Sequence, residues 1–212
     1  MICRIFVTHY TPLKIRKKYI EEQFAEHGID NYIFIELFDR EYNNTHDSFY
    51  KFSNNLLPSE ISIFLKHMEI FRYVSDEEII VVMEDDSILK PGFKDNLENY
   101  IFKLIRSNLV WDIAFCGECC GLHIDSKLIE SEKIFYSSDT TRCLNLYILN
   151  AGSGKKIKEI MDNEISINKP IDCWLNDMRI KYKNLNFFWS EPTLSDQKSE
   201  INNESSIRFR PI

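Results

Sequence analysis

The chain has 212 residues, 44% hydrophobic and 28% charged, enough to bury a real core, and reads as one domain over residues 1–212. Its net charge of −7 argues against a nucleic-acid partner, which needs clustered Lys and Arg, and leaves phosphorylated substrates to a site where a cation supplies positive charge. The opening "MICRIFVTHYTP" has too short an apolar run for a secretory leader, and no stretch reaches membrane-spanning length; this predicts a cytoplasmic protein whose six cysteines (Cys3, Cys116, Cys119, Cys120, Cys143, Cys173) stay reduced.

"CRIFVT" predicts a buried first strand, rich in β-branched and aromatic residues. Thr11 and Pro12 read as an N-cap with Pro at the first helical position, opening a helix through "LKIRKKYIEEQFAEH" that stops at Gly28. "YIFIEL" predicts a second strand, and the polar stretch 39–55 a long surface loop of the kind that carries function. After Pro58 the apolar residues Ile61, Phe64, Leu65, Met68 and Phe71 recur at helical spacing. "EIIVVM" is a continuous apolar run, the pattern of a strand covered on both faces. A helix over about 93–105, strands at "WDIAFC" and "LNLYIL", helices at "KKIKEIMD" and "DCWLNDMRIKY", and a strand at "NFFWSEP" complete the chain. This alternation predicts an α/β fold with a mostly parallel central sheet flanked by helices. Ligands of such sheets bind beyond the carboxyl ends of the strands.

Three consecutive acids, Glu84, Asp85 and Asp86, stand at one such end, in "IIVVMEDDSILKPGF". Adjacent carboxylates repel, which favours protonation or a cation between them. Alternation along an extended segment lets Glu84 and Asp86 face one way while Asp85 points elsewhere. Two such carboxylates suit Mg²⁺ or Mn²⁺ alongside substrate phosphates, although a solvated acidic loop has the same composition.

"VVMEDDSILKPGF" resembles the acidic signature of glycosyltransferase family 25, which includes lipooligosaccharide and procollagen galactosyltransferases. "LLPSEISIFLKHMEIF" is similar to that family's Pro-x-Glu-Ile helix carrying a His, "WDIAFCG" to its Trp-Asp strand, and "LNLYILNAGSGKKI" to its Tyr-containing strand and small-residue helix start. "KPIDCWL" is similar to its Pro-hydrophobic-Asp motif and "FFWSEPTLSDQKSEI" to its terminal Glu-Pro block, all in the family's order. The resemblance implies a single GT-A-type, Rossmann-like domain. It implies transfer of a sugar, with inversion, from a UDP-sugar to a hydroxyl of a glycan or hydroxylysine-type acceptor, with Mn²⁺ or Mg²⁺ as cofactor. Carried over by position, Asp86 would ligate the metal, Glu84 would contact metal or donor ribose, and Asp85 would support them. Thr8, His9, Arg16 and His67 would lie on the donor side. Lys66 stands where the family commonly has Ser, Leu57 where it usually has Thr, and the first strand ends in "VTHYTP" instead of the family's usual Asn-Leu-like ending.

Asp172 reads either as the N-cap of the helix after Pro170 or as the general base that deprotonates the acceptor; the two roles are compatible, because helix amides stabilise negative charge there. Asp177 is the reserve candidate, otherwise a surface acid. His67 lies on an amphipathic helix and reads as a core histidine or a donor contact. "CGECC" lacks the second CxxC of a zinc site, with only Cys143, Cys173 and His123 to assist, and is better read as packing than as metal or redox chemistry. Tyr147, Asn150 and Gly152 fall where the resemblance puts the acceptor side, though Tyr147 alone would suit the core and Asn150 a turn. Glu191, Asp196 and Gln197 could close over the donor. A non-catalytic nucleotide-sugar-binding scaffold of the same fold is the alternative to an enzyme; a metal-dependent phosphohydrolase would want a nucleophile, for which Ser87 is the sole candidate.

Overall fold

The computed structural model describes residues 3–41, 51–73, 78–164 and 166–197. Among the described residues, nine strands and five α-helices follow in the order β1 (Ile5–Thr8), α1 (Lys14–Glu26), β2 (Tyr32–Ile35), α2 (Pro58–Tyr73), β3 (Ile80–Glu84), β4 (Ser87–Leu89), α3 (Phe93–Arg106), β5 (Ile113–Phe115), β6 (Phe135–Ser138), β7 (Leu146–Leu149), α4 (Ser153–Asp162), α5 (Ile171–Tyr182), β8 (Phe187–Ser190) and β9 (Ser195–Gln197).

Seven strands form the central sheet in the order β2-β1-β3-β7-β5-β8-β6. β1, β2, β3, β5 and β8 run one way; β7 is antiparallel to β3 and β5, and β6 to β8. The Rossmann-like α/β reading therefore holds, with two reversed strands in the sheet. Thr8 pairs with both Ile35 and Glu84, so the carboxyl ends of β1, β2 and β3 lie level and put the acid cluster on that edge.

Alternation divides β1 and β3 between two cores. Phe6, Ile80 and Val82 pack with Phe64, Phe71, Ile157 and Trp174 from α2, α4 and α5. Ile5, Val7, Val81 and Met83 pack with Phe24, Phe93, Leu97 and Leu104 from α1 and α3. Burial on both faces explains the unbroken apolar run of β3.

Gly28 ends α1 as the sequence predicts: at φ +62° it lets Ile29 N–H reach Phe24 O at 2.8 Å and its own N–H reach Ala25 O at 3.2 Å. The start of α1 differs. Thr11 does not cap it; Leu13 is the N-cap residue, without a side-chain bond. Leu13 N–H closes a turn onto Tyr10 O, and the Thr11 hydroxyl turns away to Glu36 O at 3.5 Å. At α2, Leu57 offers no capping hydroxyl, and Glu60 instead reaches back to Leu57 N–H at 2.8 Å, the reciprocal half of a capping box. Of the stretch 39–55, residues 42–50 lie outside the described residues; Phe52 beyond them bridges to Ile167. Among the described residues, no helix is long and apolar enough to cross a membrane.

Candidate active site

Beyond β3 the chain turns at Asp85 and Asp86 into β4, and one carbonyl holds the turn. Asn145 O, at the start of β7, accepts from Glu84 N–H at 3.0 Å and from the Ser87 hydroxyl at 2.7 Å. Close packing fixes Asn145: a Cβ on Gly117 would stand 2.2 Å from its Oδ1. The Asn145 amide donates to Glu118 O at 2.7 Å.

The three acids take different surroundings. Asp85 turns inward, to His9 Nδ1 at 2.7 Å, Arg16 Nη1 at 3.0 Å and Tyr10 N–H at 3.4 Å, and so ties the β1–α1 loop to β3. Asp86 receives Gln197 Nε2 at 3.3 and 3.5 Å on its two oxygens and faces Arg16 at 3.9 Å. Glu84 points to His67 Nε2, 3.8 Å away. Gln197 arrives because β9 pairs with β4, placing it opposite Ser87.

The electrostatics follow from this crowding. Burial pushes the Glu84 carboxyl well above the usual range, and Asp86, Asp85 and Asp172 push the same way, against Arg16. His67 is fully buried, and desolvation brings its pKa down to about 3, so its ring is neutral near pH 7. Its Nδ1 meets the Tyr147 hydroxyl at 2.9 Å. Thr8 Oγ1, His9 Nε2 and His67 Nε2 are buried and make no hydrogen bond in the structure. Buried polar atoms are ordinarily paired, so Thr8 and His9, which line the cleft, can hydrogen-bond to a group bound there.

Thr8, His9, Arg16, Glu84, Asp85 and Asp86 line one cleft, together with Tyr10, Arg40, Lys66 and Gln197. His67 stands behind Glu84, as does Tyr147, which is wholly in the core. Asp172 is not a cap: Pro170 is the N-cap residue of α5, and Asp172, in its first turn and half-buried, accepts from Cys173 N–H at 2.8 Å. Proline's fixed geometry starts the helix two residues earlier than an Asp172 cap would. Asp172's charge nonetheless reaches Glu84. Asp177 pairs with Lys169 at 2.6 Å, away from the acids.

The resemblance puts Asn150 and Gly152 on the acceptor side of the cleft, and the structure sets them elsewhere. β7 runs against β3, so Leu149 pairs with Ile80 while Leu146 pairs with Met83; Asn150 and Gly152 follow at the edge opposite the acids. Asn150 there donates to Trp111 O at 2.8 Å. Glu191 is also internal, held by the fully buried Arg142 at 2.5 Å, by His123 Nδ1 at 3.0 Å and by Ile124 N–H at 3.2 Å. Asp196 pairs with Lys90 at 2.8 Å.

The expectation of reduced cysteines is corrected: Cys119 and Cys143 form a disulfide. Pairing of β5 with β7 brings the 116–121 loop beside the approach to β7, leaving these Cα atoms 6.1 Å apart, within bridging range. Cys120 Sγ lies 3.4 Å from Cys119 Sγ, and the three sulfurs fall within 4.8 Å of one another. Two of them are consumed by the bridge. His123, the nearest imidazole in sequence, is engaged by Glu191 and Glu118. Cys116 is a buried free thiol pushed up to about 12 by desolvation, and Cys173 lies exposed on α5.

An α/β sheet that gathers carboxylates over a cleft at the carboxyl ends of its parallel strands defines a Rossmann-like enzyme domain. The family described as Glycosyltransferase family 25 (LPS biosynthesis protein) matches residues 4–175, and the chain belongs to it: it is a glycosyltransferase. No curated protein matches the chain.

Proposed function

We propose that this glycosyltransferase moves a sugar from a UDP-sugar to a hydroxyl of a glycan or a hydroxylysine-type side chain, with inversion, using Mn²⁺ or Mg²⁺. The observation that carries the reading is the division of the acids. Asp85 is spent on His9, Arg16 and Tyr10, whereas Glu84 and Asp86 line the cleft, where burial and the neighbouring carboxylates raise the Glu84 carboxyl and Asp86 meets Gln197 and the shared Arg16. Two hard oxygen donors at a strand end suit a divalent cation that keeps positions for phosphate oxygens and water. The orphaned Thr8 hydroxyl and His9 ring beside them fit the same reading. When bound, the cation supplies Lewis-acid stabilisation of the departing diphosphate.

The chain's own residues supply the rest. Glu84 and Asp86 would hold the cation, Arg16 places a guanidinium on the same wall, and Asp85 fixes Arg16 and the β1–α1 loop. Asp172, at the start of α5 and within electrostatic reach of Glu84, takes the proton from the acceptor hydroxyl. His67, neutral and bonded to Tyr147, backs the Glu84 carboxylate instead of touching donor.

The test is nucleotide release from a panel of UDP-sugars, with and without acceptors, in Mn²⁺ and in EDTA, on the native chain and on Asp86→Asn. Release and UDP binding should require the metal in the native chain, and the variant should lose that dependence. Equal UDP affinity in EDTA and Mn²⁺ would remove the metal from the reading.

A further inference from the structure

The cleft holds a cation that the proposed reaction leaves without a part. Lys66, on α2, is 2% exposed although its side chain lines the cleft. A lysine is seldom so buried unless its ammonium is fully partnered. Here it is: Nζ donates to Leu37 O at 2.6 Å, Asp39 Oδ1 at 2.9 Å and Ile35 O at 3.4 Å, which uses its three protons.

The acceptors are the last residue of β2, Ile35, and two residues of the turn that leaves it, and that turn is strained. Phe38 has φ +61°, a left-handed conformation that a bulky residue rarely adopts unless its surroundings impose it. Lys66 grips the carbonyl just before Phe38 and the carboxylate just after it, while the Phe38 ring packs on the core below. Asp39 is shared: burial raises its pKa, but its bonds to Lys66 and Thr11 outweigh that and hold it low. Asp39 Oδ1 also accepts from Thr11 N–H at 3.4 Å, which joins the turn to the β1–α1 loop.

The turn then delivers a wall of the cleft. Arg40 lies over the Tyr10 ring, 4.2 Å from its centroid, and the Tyr10 hydroxyl donates to Glu41. Tyr10 N–H meets Asp85, and both Tyr10 and Arg40 line the cleft that holds Glu84 and Asp86. A continuous path therefore runs from the Lys66 ammonium through the 37–39 turn to the Tyr10–Arg40 pair.

We propose that Lys66 is a positioning residue for donor binding: by holding the left-handed turn at Phe38, it sets the Tyr10–Arg40 wall against which the nucleotide portion of the donor lies. It touches no donor itself, since its three protons are directed into the turn. The proposal rests on the reading that this cleft takes a nucleotide sugar.

The test compares the native chain with Lys66→Met, Lys66→Met/Phe38→Gly and Asp39→Asn, measuring donor KM, kcat, UDP affinity and melting temperature with whichever UDP-sugar the native chain turns over. Lys66→Met should raise donor KM and UDP Kd about tenfold, equivalent to about 1.4 kcal/mol, with kcat within about twofold. Glycine accepts the left-handed turn without strain, so adding Phe38→Gly should recover most of the lost affinity. The same change removes the Phe38 ring from the core, so the melting temperature should fall further. Affinity and stability moving in opposite directions is a signature that a merely structural lysine does not produce. Unchanged KM in Lys66→Met, or KM worsening with stability in the double variant, overturns the proposal. If Lys66→Met does not fold, Asp39→Asn, at a partly exposed carboxylate, carries the test: it should raise KM about threefold, and an unchanged KM overturns the proposal. A native chain that turns over no UDP-sugar overturns this proposal and the donor reading together, whereas failure in the variants alone leaves the donor reading standing.

Discussion

Replacing Asp172 by Asn separates catalysis from helix stability at one position. The amide keeps the oxygen that accepts Cys173 N–H at 2.8 Å, and Pro170 holds the N-cap position, so α5 loses no capping group. What the fold loses is the attraction of a carboxylate to a helix N-terminus, about 0.3–1 kcal/mol at such partly exposed sites. For a chain of this size that is a fall of roughly 1–4 °C in melting temperature. Removing the charge also relieves one of the carboxylates that push up Glu84, which works the other way. The net change in stability should therefore be small. Transfer should fall by about 10²–10⁴, the usual worth of a positioned general base, or about 3–5 kcal/mol in the barrier. UDP-sugar affinity should stay within about threefold, and slow donor hydrolysis should persist, because departure of the nucleotide does not require the acceptor's proton to be removed. Melting temperature, donor affinity and initial transfer rates on the one variant decide the matter. Near-native transfer would remove Asp172 from the mechanism; loss of transfer with an equal loss of donor binding would show a disturbed cleft instead of a missing base.

Two further predictions concern the acids and the disulfide. Because burial and neighbouring carboxylates raise the folded-state pKa of Glu84, folding takes up a proton there, and the group's contribution to stability declines as pH rises from the ordinary glutamate range toward the raised value. Without divalent metal, Glu84→Gln should thus melt above the native chain at pH 8, with the gap closing toward pH 4, and Mn²⁺ should stabilise only the native chain; equal pH profiles for the two proteins in EDTA would contradict the assigned surroundings of Glu84. Thiol titration of the unfolded, non-reduced protein should count the four free cysteines, and six would refute the bridge. Because the bridge spans 24 residues, its reduction should cost about 3 kcal/mol and lower the melting temperature by roughly 10 °C.

The long elements were legible because each carries a local signal. The spacing of Phe64, Leu65, Met68 and Phe71, the apolar run of β3 and the stop at Gly28 act within a few residues, and the structure has a helix, a buried strand and a helix end there. β4, β6 and β9 were not foreseen, being three or four residues long and formed by pairing with distant strands. β4 has no pattern of its own: Ser87 to Leu89 becomes a strand because Ser195 to Gln197 lies beside it. The reversed β7 is likewise invisible in "LNLYIL", since a buried strand reads the same in either direction, and the reversal leaves Asn150 and Gly152 at the edge opposite the acids. Asn145, one residue before Leu146 where β7 pairs with Met83, owes its role to the same reversal, and its carbonyl holds Glu84 and Ser87. Arg142, between Thr141 and Cys143, had no sequence signal; its partner Glu191 lies 49 residues on.

The acid cluster shows why charge along a sequence is a weaker guide than charge in space. "EDD" presents three equal carboxylates, but the fold makes them unequal. Alternation at the end of β3 turns Asp85 toward His9 and Arg16, and the β4–β9 pairing brings a neutral amide, Gln197, to Asp86. Glu84 meets a buried imidazole that burial keeps neutral. Asp172 then adds negative charge from α5. Two other cations on this cleft are already engaged, Lys66 with Asp39 and its neighbouring carbonyls and Arg40 over the Tyr10 ring, while Arg16 is shared between Asp85 and Asp86. Glu84 is the acid on which this crowding bears most, since burial and the neighbouring Asp86, Asp85 and Asp172 raise its carboxyl against the pull of Arg16. The proposed divalent cation would add counter-charge at that point and keep positions for phosphate oxygens, whereas a lysine in its place would neutralise the acids and leave no such position.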